Sequence, residues 1–141
     1  MDKGNFRSEY EFKVAQFLSN RKVTWEYETL ELEYFLNIKG GRCNNCESED
    51  VARREWYIPD FWLPDLGIII EAKGRWESKD RTKMIQVLAS HPDLDIRMLF
   101  MRDNWLTKQH KKRYSHYCNQ KGIKYTVDVH GKVPLAWLRG K

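Results

Sequence analysis

Apolar and polar positions change period several times along this chain, and each change marks an element. Val14, Ala15, Phe17 and Leu18 recur at the spacing of one helix face. Ser8 and Glu11 stand ahead of them in the Ser-x-x-Glu form of a capping box, which predicts a helix from about Ser8 to Asn20. Val23, Trp25, Tyr27 and Thr29 then alternate with polar residues, as in a half-buried strand. The alternation runs on through Leu30 and Leu32 toward Phe35, so one long strand is expected. Lys39 to Cys46 is turn-rich and reads as a loop or small excursion, with order resuming at Trp56. Tyr57 to Leu63 and Leu66 to Lys73 read as paired strands around a tight turn at Pro64-Asp65. The unbroken Ile68-Ile69-Ile70 run suits a strand covered on both faces. Ser78 caps a predicted helix to about Ser90, with Met84, Ile85, Val87 and Leu88 inward. Ile96 to Met101 follows as a buried strand, Thr107 to Gln120 as a basic helix stopped near Gly122, and Ile123 to Val127 as a last strand. Pro134 to Leu138 closes the chain as a short helix. The order predicts an α/β fold: one mixed central sheet flanked by helices.

Composition narrows this reading without changing it. The 141 residues suit a single domain over 1–141, with an excursion at about 34–55. Nineteen aromatics argue against disorder even at 32% charged residues. No apolar run approaches the roughly 20 residues that span a bilayer, and no apolar stretch follows Met1-Asp2-Lys3-Gly4. Membrane and secreted classes are therefore not expected. Three cysteines, an odd number, do not make a disulfide framework and fit a reducing cytosol.

Charge does change the picture. Residues 1–71 carry 9 Lys/Arg against 14 Asp/Glu, whereas residues 72–141 carry 16 against 6. An acidic half beside a basic half suggests a working site next to a nucleic-acid platform; the plainer alternative is a solvated, lysine-rich exterior.

Glu71 and Lys73 lie two apart on a strand, so both side chains share a face where the apolar run ends. If the strand carrying Asp60 pairs with theirs, its carboxylate converges on the same spot. Crowded carboxylates repel unless a cation neutralises them, and Mg²⁺ accepts such oxygen ligands while keeping waters for a phosphate. Lys73 would then lie near the substrate phosphate, and Glu11, from the first helix, could complete a second metal position. Each residue also has a plain structural reading. Glu71 and Lys73 could be a surface ion pair worth under about 1 kcal/mol. Asp60 after Pro59 could be a turn residue, and Glu11 simply the capping partner of Ser8.

Pro59-Asp60, ten residues, then Glu71-Ala72-Lys73 has the form of the PD-(D/E)xK nuclease signature. Around it stand Phe6-Arg7-Ser8-x-x-Glu11, Tyr57-x-Pro59-Asp60-Phe61-x-Leu63-Pro64 and Glu71-x-Lys73-Gly74-x-Trp76-Glu77-Ser78. Asp80-Arg81-x-Lys83, His91-Pro92-x-Leu94-Asp95-Ile96-Arg97 and Gly122-Ile123-Lys124 follow in order. In these segments, roughly 5–33 and 56–138, the chain resembles the endonuclease I family of T-odd bacteriophages. The resemblance implies a restriction-endonuclease-like fold in an intertwined, strand-exchanged homodimer. It implies a Mg²⁺-dependent Holliday-junction resolvase, with Mn²⁺ as a substitute ion, that makes paired cuts in four-way and branched DNA in the host cytoplasm. No small-molecule cofactor is expected. Carried over by motif, Asp60, Glu71 and the Ala72 carbonyl would hold the metal, Lys73 would be the catalytic lysine, and Glu11 would serve the second metal position.

The match lapses between about Tyr34 and Glu55, near the segment through which subunits would exchange strands. Cys43-x-x-Cys46 there could be half of a Zn²⁺ site, completed by His116 and Cys118 or by the same loop of a second copy; the plainer alternative is a turn with two free thiols. The excursion could equally dock another protein. Lys79, Arg81 and Lys83, then Lys108, Lys111, Lys112 and Arg113, are candidate phosphate contacts, giving affinity without base reading. Trp76 and Trp105 read as packing residues, and His110, His116 and His130 sit in no motif. Two rival functions stay open: a sequence-specific or nicking endonuclease, and an architectural junction binder without turnover.

Overall fold

The computed structural model describes residues 3–39 and 50–139. Its centre is a five-stranded mixed sheet of β1 (Glu26–Tyr27), β4 (Phe61–Leu63), β5 (Ile68–Lys73), β6 (Asp95–Phe100) and β7 (Lys124–Val127), in that spatial order. β4 pairs antiparallel with both β1 and β5, while β5, β6 and β7 are parallel to one another. Phe61 pairs with Ile70 and Leu63 with Ile68, the strand pair expected around Pro64-Asp65. Gly67, with φ +68°, supplies the left-handed residue that this turn requires.

Three helices cover the sheet: α1 (Glu9–Asn20), α2 (Ser78–Ser90) and α3 (Tyr114–Lys121). Side chains alternate along β5, so its two faces feed two cores. Ile68, Ile70 and Ala72 pack with Tyr10, Val14, Ala15 and Leu18 of α1. Ile69 packs on the opposite face with Met84 and Val87 of α2, Tyr114 and Cys118 of α3, and Trp76. All three consecutive isoleucines are therefore buried, as the unbroken apolar run requires. No helix among the described residues is long and apolar enough to cross a membrane.

Three expectations are corrected. The long strand from Val23 toward Phe35 is broken at Glu28, whose φ of +54° turns the chain out of the sheet after Tyr27. The alternation resumes as β2 (Leu32–Lys39), which pairs residue for residue with β3 (Asp50–Tyr57) in a separate two-stranded sheet. Most of the excursion is thus a β-hairpin, and it leans on α2, where a His91 ring N–H donates to the Glu33 carbonyl. Third, the basic helix begins only at Tyr114. Thr107 to Lys112 is wholly exposed and offers no apolar side chain to bury, so nothing holds a helix there. The chain doubles back instead: Leu106 N–H donates to the Lys112 carbonyl at 2.7 Å, and Trp105 bridges Arg113.

Smaller differences are local. The cap of α2 is Glu77, one residue before Ser78, with the Glu77 N–H donating to Asp80 Oδ2 at 3.0 Å. The closing helix is a short 3-10 turn, Leu135–Leu138.

Candidate active site

The site forms where β5 ends and β4 begins. Continuing the pairing of Phe61 with Ile70 brings Asp60 beside Glu71, and the two are tied by backbone hydrogen bonds. Asp60 N–H donates to Glu71 Oε1 at 3.0 Å, and Ala72 N–H donates to Asp60 Oδ2 at 2.9 Å. Strand pairing itself therefore holds both carboxylates. Glu71 lies on the face covered by α2, with Lys73 two residues on and on the same side, where both border one small space with Tyr57 and Lys83.

Glu11 arrives from the other face, on the first turn of α1. Ser8 accepts from the Glu11 N–H at 3.1 Å, the N-cap expected from the sequence. The Glu11 carboxylate is held in turn by the Ser8 hydroxyl at 2.9 Å and the Tyr27 hydroxyl at 2.8 Å. The capping role and the site role of Glu11 are thus compatible: its backbone serves the helix while its carboxylate faces the sheet end.

Glu28 was not anticipated. One carboxylate oxygen each from Glu11, Glu28 and Asp60 lie within 4.8 Å of one another. The left-handed backbone at Glu28 that ends β1 is fixed by its N–H, which donates to the Asp60 carbonyl at 3.0 Å. Arg7 lies against this carboxylate, Nε to Oε1 at 2.7 Å. Strand alternation would turn Glu28 away from Tyr27, and only the break in the strand brings it in. A signal was present in the Glu26-Tyr27-Glu28-Thr29 sequence, where two acids fall at the end of an alternating run.

Burial and mutual repulsion dominate the electrostatics. Glu11, Asp60 and Glu71 are between 6% and 8% exposed. Burial pushes the Asp60 carboxyl well above its ordinary range, and the charges of Glu71 and Glu11 push it further. Burial raises Glu71 as well, while the Lys73 ammonium and the hydrogen bonds from Asp60 pull it back. Three buried carboxylates at one sheet end, with Lys73 and Lys83 on the α2 side of Glu71, form a strongly acidic hollow, the arrangement that a divalent cation relieves. The donors are all oxygens, which suits Mg²⁺ or Mn²⁺ and does not suit the nitrogen and sulfur preference of Zn²⁺.

The other sequence candidates are placed differently. Cys43 and Cys46 lie outside the described residues. Cys118 is fully buried in the core, where burial raises its thiol to about 12, and His116 is exposed with Nδ1 accepting from Arg113 N–H. That pair does not supply a half-site for zinc. Arg81 is anchored, with Nη1 donating to the Trp76 carbonyl at 2.7 Å and its guanidinium over Tyr117. Lys83 lies over the Tyr57 ring at 5.2 Å, and Lys79 is exposed near Glu77. Lys108, Lys111 and Lys112 are exposed on the turn-rich segment before α3, and Arg113 covers the Trp105 ring at 3.9 Å. Trp76 is a core residue, as expected, but Trp105 is 37% exposed.

Comparison with known proteins shows relatives over nearly the whole chain. The chain is 34% identical over 137 residues to "Endonuclease I" of Escherichia phage T7, covering 96% of this chain and 80% of that protein. It is 35% identical over 135 residues to "Endodeoxyribonuclease 1" of Enterobacteria phage T3, covering 95% and 77%. Residues 1–141 match the family described as phage endonuclease I. Together with carboxylates and a lysine gathered at one sheet end, these matches show that the chain belongs to the phage endonuclease I family.

Proposed function

We propose that this member of an endonuclease family is a metal-dependent endodeoxyribonuclease that resolves four-way and branched DNA by paired phosphodiester hydrolysis. The observation that carries the reading is the place of Asp60 at the sheet end: carboxylate oxygens of Glu11 and Glu28 lie within 4.8 Å of its own on the α1 side, and Glu71, which borders one space with Lys73 on the α2 side, accepts its N–H. Asp60, Glu71 and the Ala72 carbonyl would hold one cation. Glu11, joined by Glu28 and sharing Asp60, would hold a second. Mg²⁺ bound there supplies an activated water and charge neutralisation at the scissile phosphate. The chain's own part is placement. The Asp60 and Ala72 N–H groups fix the two central carboxylates, Ser8 and Tyr27 fix Glu11, and Lys73 offers an ammonium to the charge that develops on phosphate.

The strongly basic half of the chain supports DNA as substrate. Lys83 on α2 borders the space beside Glu71 and Lys73, Arg81 on the same helix lines a separate cleft with Lys108, and Lys79, Lys111 and Lys112 are exposed. Phosphate contacts of this kind read shape, not sequence. A homodimer follows from the substrate, because two paired cuts on a two-fold junction call for two related sites. The hairpin offers a surface to the second copy: on its outer side Phe35 and Trp56 are 49% and 51% exposed.

The deciding experiment incubates the protein with an immobile four-way junction and a matching linear duplex, with Mg²⁺, Ca²⁺ or EDTA, beside Lys73→Ala. The reading requires symmetric paired cuts in the junction that need Mg²⁺ and vanish in the variant. Tight junction binding without cutting in any metal would replace it with an architectural binder. Equal cutting of the duplex would keep the site and discard the junction selectivity.

A further inference from the structure

Tyr57 closes β3 with its ring in the core between the sheet and α2, and it is 1% exposed. Its hydroxyl is nevertheless buried without a hydrogen-bond partner among the described residues. An unpaired buried hydroxyl is destabilising, and phenylalanine would fill the same volume without that cost. Packing alone therefore does not account for a tyrosine here.

The surroundings of this ring do. Together with Trp76 and Met84, the charged side chains of Glu71, Lys73, Asp80 and Lys83 border a space of about 20 Å³ beside it. That is room for one water, and the walls are polar enough to bind it. The Glu71 side chain borders this space together with Tyr57, so a water there lies within reach of both. One Glu71 oxygen already accepts the Asp60 N–H, and a carboxylate has further lone pairs to offer. Asp80 is engaged elsewhere, accepting the Glu77 N–H in the cap of α2.

We propose that Tyr57 is a positioning residue of the active site: its hydroxyl, with one water in this space, orients the Glu71 carboxylate relative to Lys73. The proposal rests on the reading of Glu71 and Lys73 as active-site residues. In metal sites, partners that hold a ligand from behind are worth roughly 10–100-fold in metal affinity or activity. Tyr57 stands in that place behind Glu71, on the side away from Glu11 and Glu28.

The test is Tyr57→Phe in the full chain, with Tyr34→Phe, in the same core, as control. Three quantities are measured: the unfolding midpoint without metal, Ca²⁺ affinity by calorimetry, and single-turnover cutting of a four-way junction in Mg²⁺. The expected result for Tyr57→Phe is an unchanged or raised midpoint, with Ca²⁺ affinity or cutting rate reduced about 10–100-fold. Tyr34→Phe should leave both unchanged. Wild-type cutting and Ca²⁺ affinity in Tyr57→Phe would overturn the proposal. So would a lowered midpoint with full activity per folded molecule, or a variant that does not fold, since the hydroxyl would then be structural. A wild-type chain that cuts no DNA under any condition would instead fail the functional reading beneath it.

Discussion

The acidic hollow at the end of β5 and the basic segment before α3 carry opposite charge and are built in opposite ways. In the hollow, Glu11, Asp60 and Glu71 are nearly buried, and each is fixed by a hydrogen bond from the backbone or from a neighbouring hydroxyl. Along Thr107 to Lys112 every residue is exposed. Buried charges are costly, so their positions are held by the fold and each one matters singly. Exposed lysines cost little and act together through a long-range field. Chemistry should therefore fail one residue at a time in the hollow, while affinity should erode gradually along the basic surface.

The largest effect is expected at Asp60, where that contrast is sharpest. Asp60→Asn keeps the shape and can still accept the Ala72 N–H, but it removes a charge that burial, Glu71 and Glu11 all disfavour. Cutting should fall by about 10²–10³-fold, the range seen when one preorganised stabilising group is removed from an active site. Stability without metal should rise. A carboxyl held above its ordinary value of 3.8 favours folding while protonated and loses that contribution as pH rises through the raised value. The midpoint of Asp60→Asn minus that of wild type should therefore grow as pH rises above 3.8 and level off beyond the raised value, by about 2 °C or more in all. Added Ca²⁺ should shrink the difference by stabilising wild type. Thermal unfolding across pH, with and without Ca²⁺, checks this, and a difference that stays flat or falls with pH would mean that Asp60 is not strained by its neighbours.

The same contrast explains how much of the molecule is legible in its sequence. Glu71 and Lys73 were legible because strand alternation places residues two apart on one face, and Asp60 because the turn at Pro64-Asp65 fixes the register of β4 on β5. Ser8 with Glu11 was legible as a local cap. Glu28 was not, because its role depends on a left-handed backbone that alternation cannot foresee. The hairpin was missed for a related reason. Asp50 to Glu55 is mostly polar and becomes a strand by pairing with β2, a contact that sequence periodicity does not contain. A helix from Thr107 is suggested by basic charge that continues where apolar spacing stops, and charge alone buries nothing that would hold it.

Glu28 is the next test of the hollow. If it serves the cation position shared with Glu11 and Asp60, Glu28→Gln should lower the Mg²⁺ affinity read from cutting rates by about 10-fold, a partial loss beside that at Asp60. Arg7→Ala should not copy it, because the Arg7–Glu28 pair is largely exposed on the arginine side and worth under about 1 kcal/mol. Equal losses in the two variants would instead mark Glu28 as half of a structural pair.

The smallest single effects should come from the basic segment. Lys111→Ala or Lys112→Ala alone should weaken junction binding less than about 3-fold at physiological salt, because neither lysine is held in a defined contact and the field of its neighbours remains. The informative quantity is the salt dependence. Each phosphate contact on duplex arms contributes about 0.9 to the slope of log affinity against log salt, so removing both lysines should flatten that slope by about 2 if both touch phosphate. Binding isotherms with catalytically silent Lys73→Ala in Ca²⁺, at several salt concentrations, measure it. An unchanged slope would place the segment off the DNA path, leaving Arg81 and its neighbours on α2 as the basic surface that matters. A loss of cutting larger than the loss of binding would break the comparison itself, because it would give an exposed lysine the singular importance that buried carboxylates have.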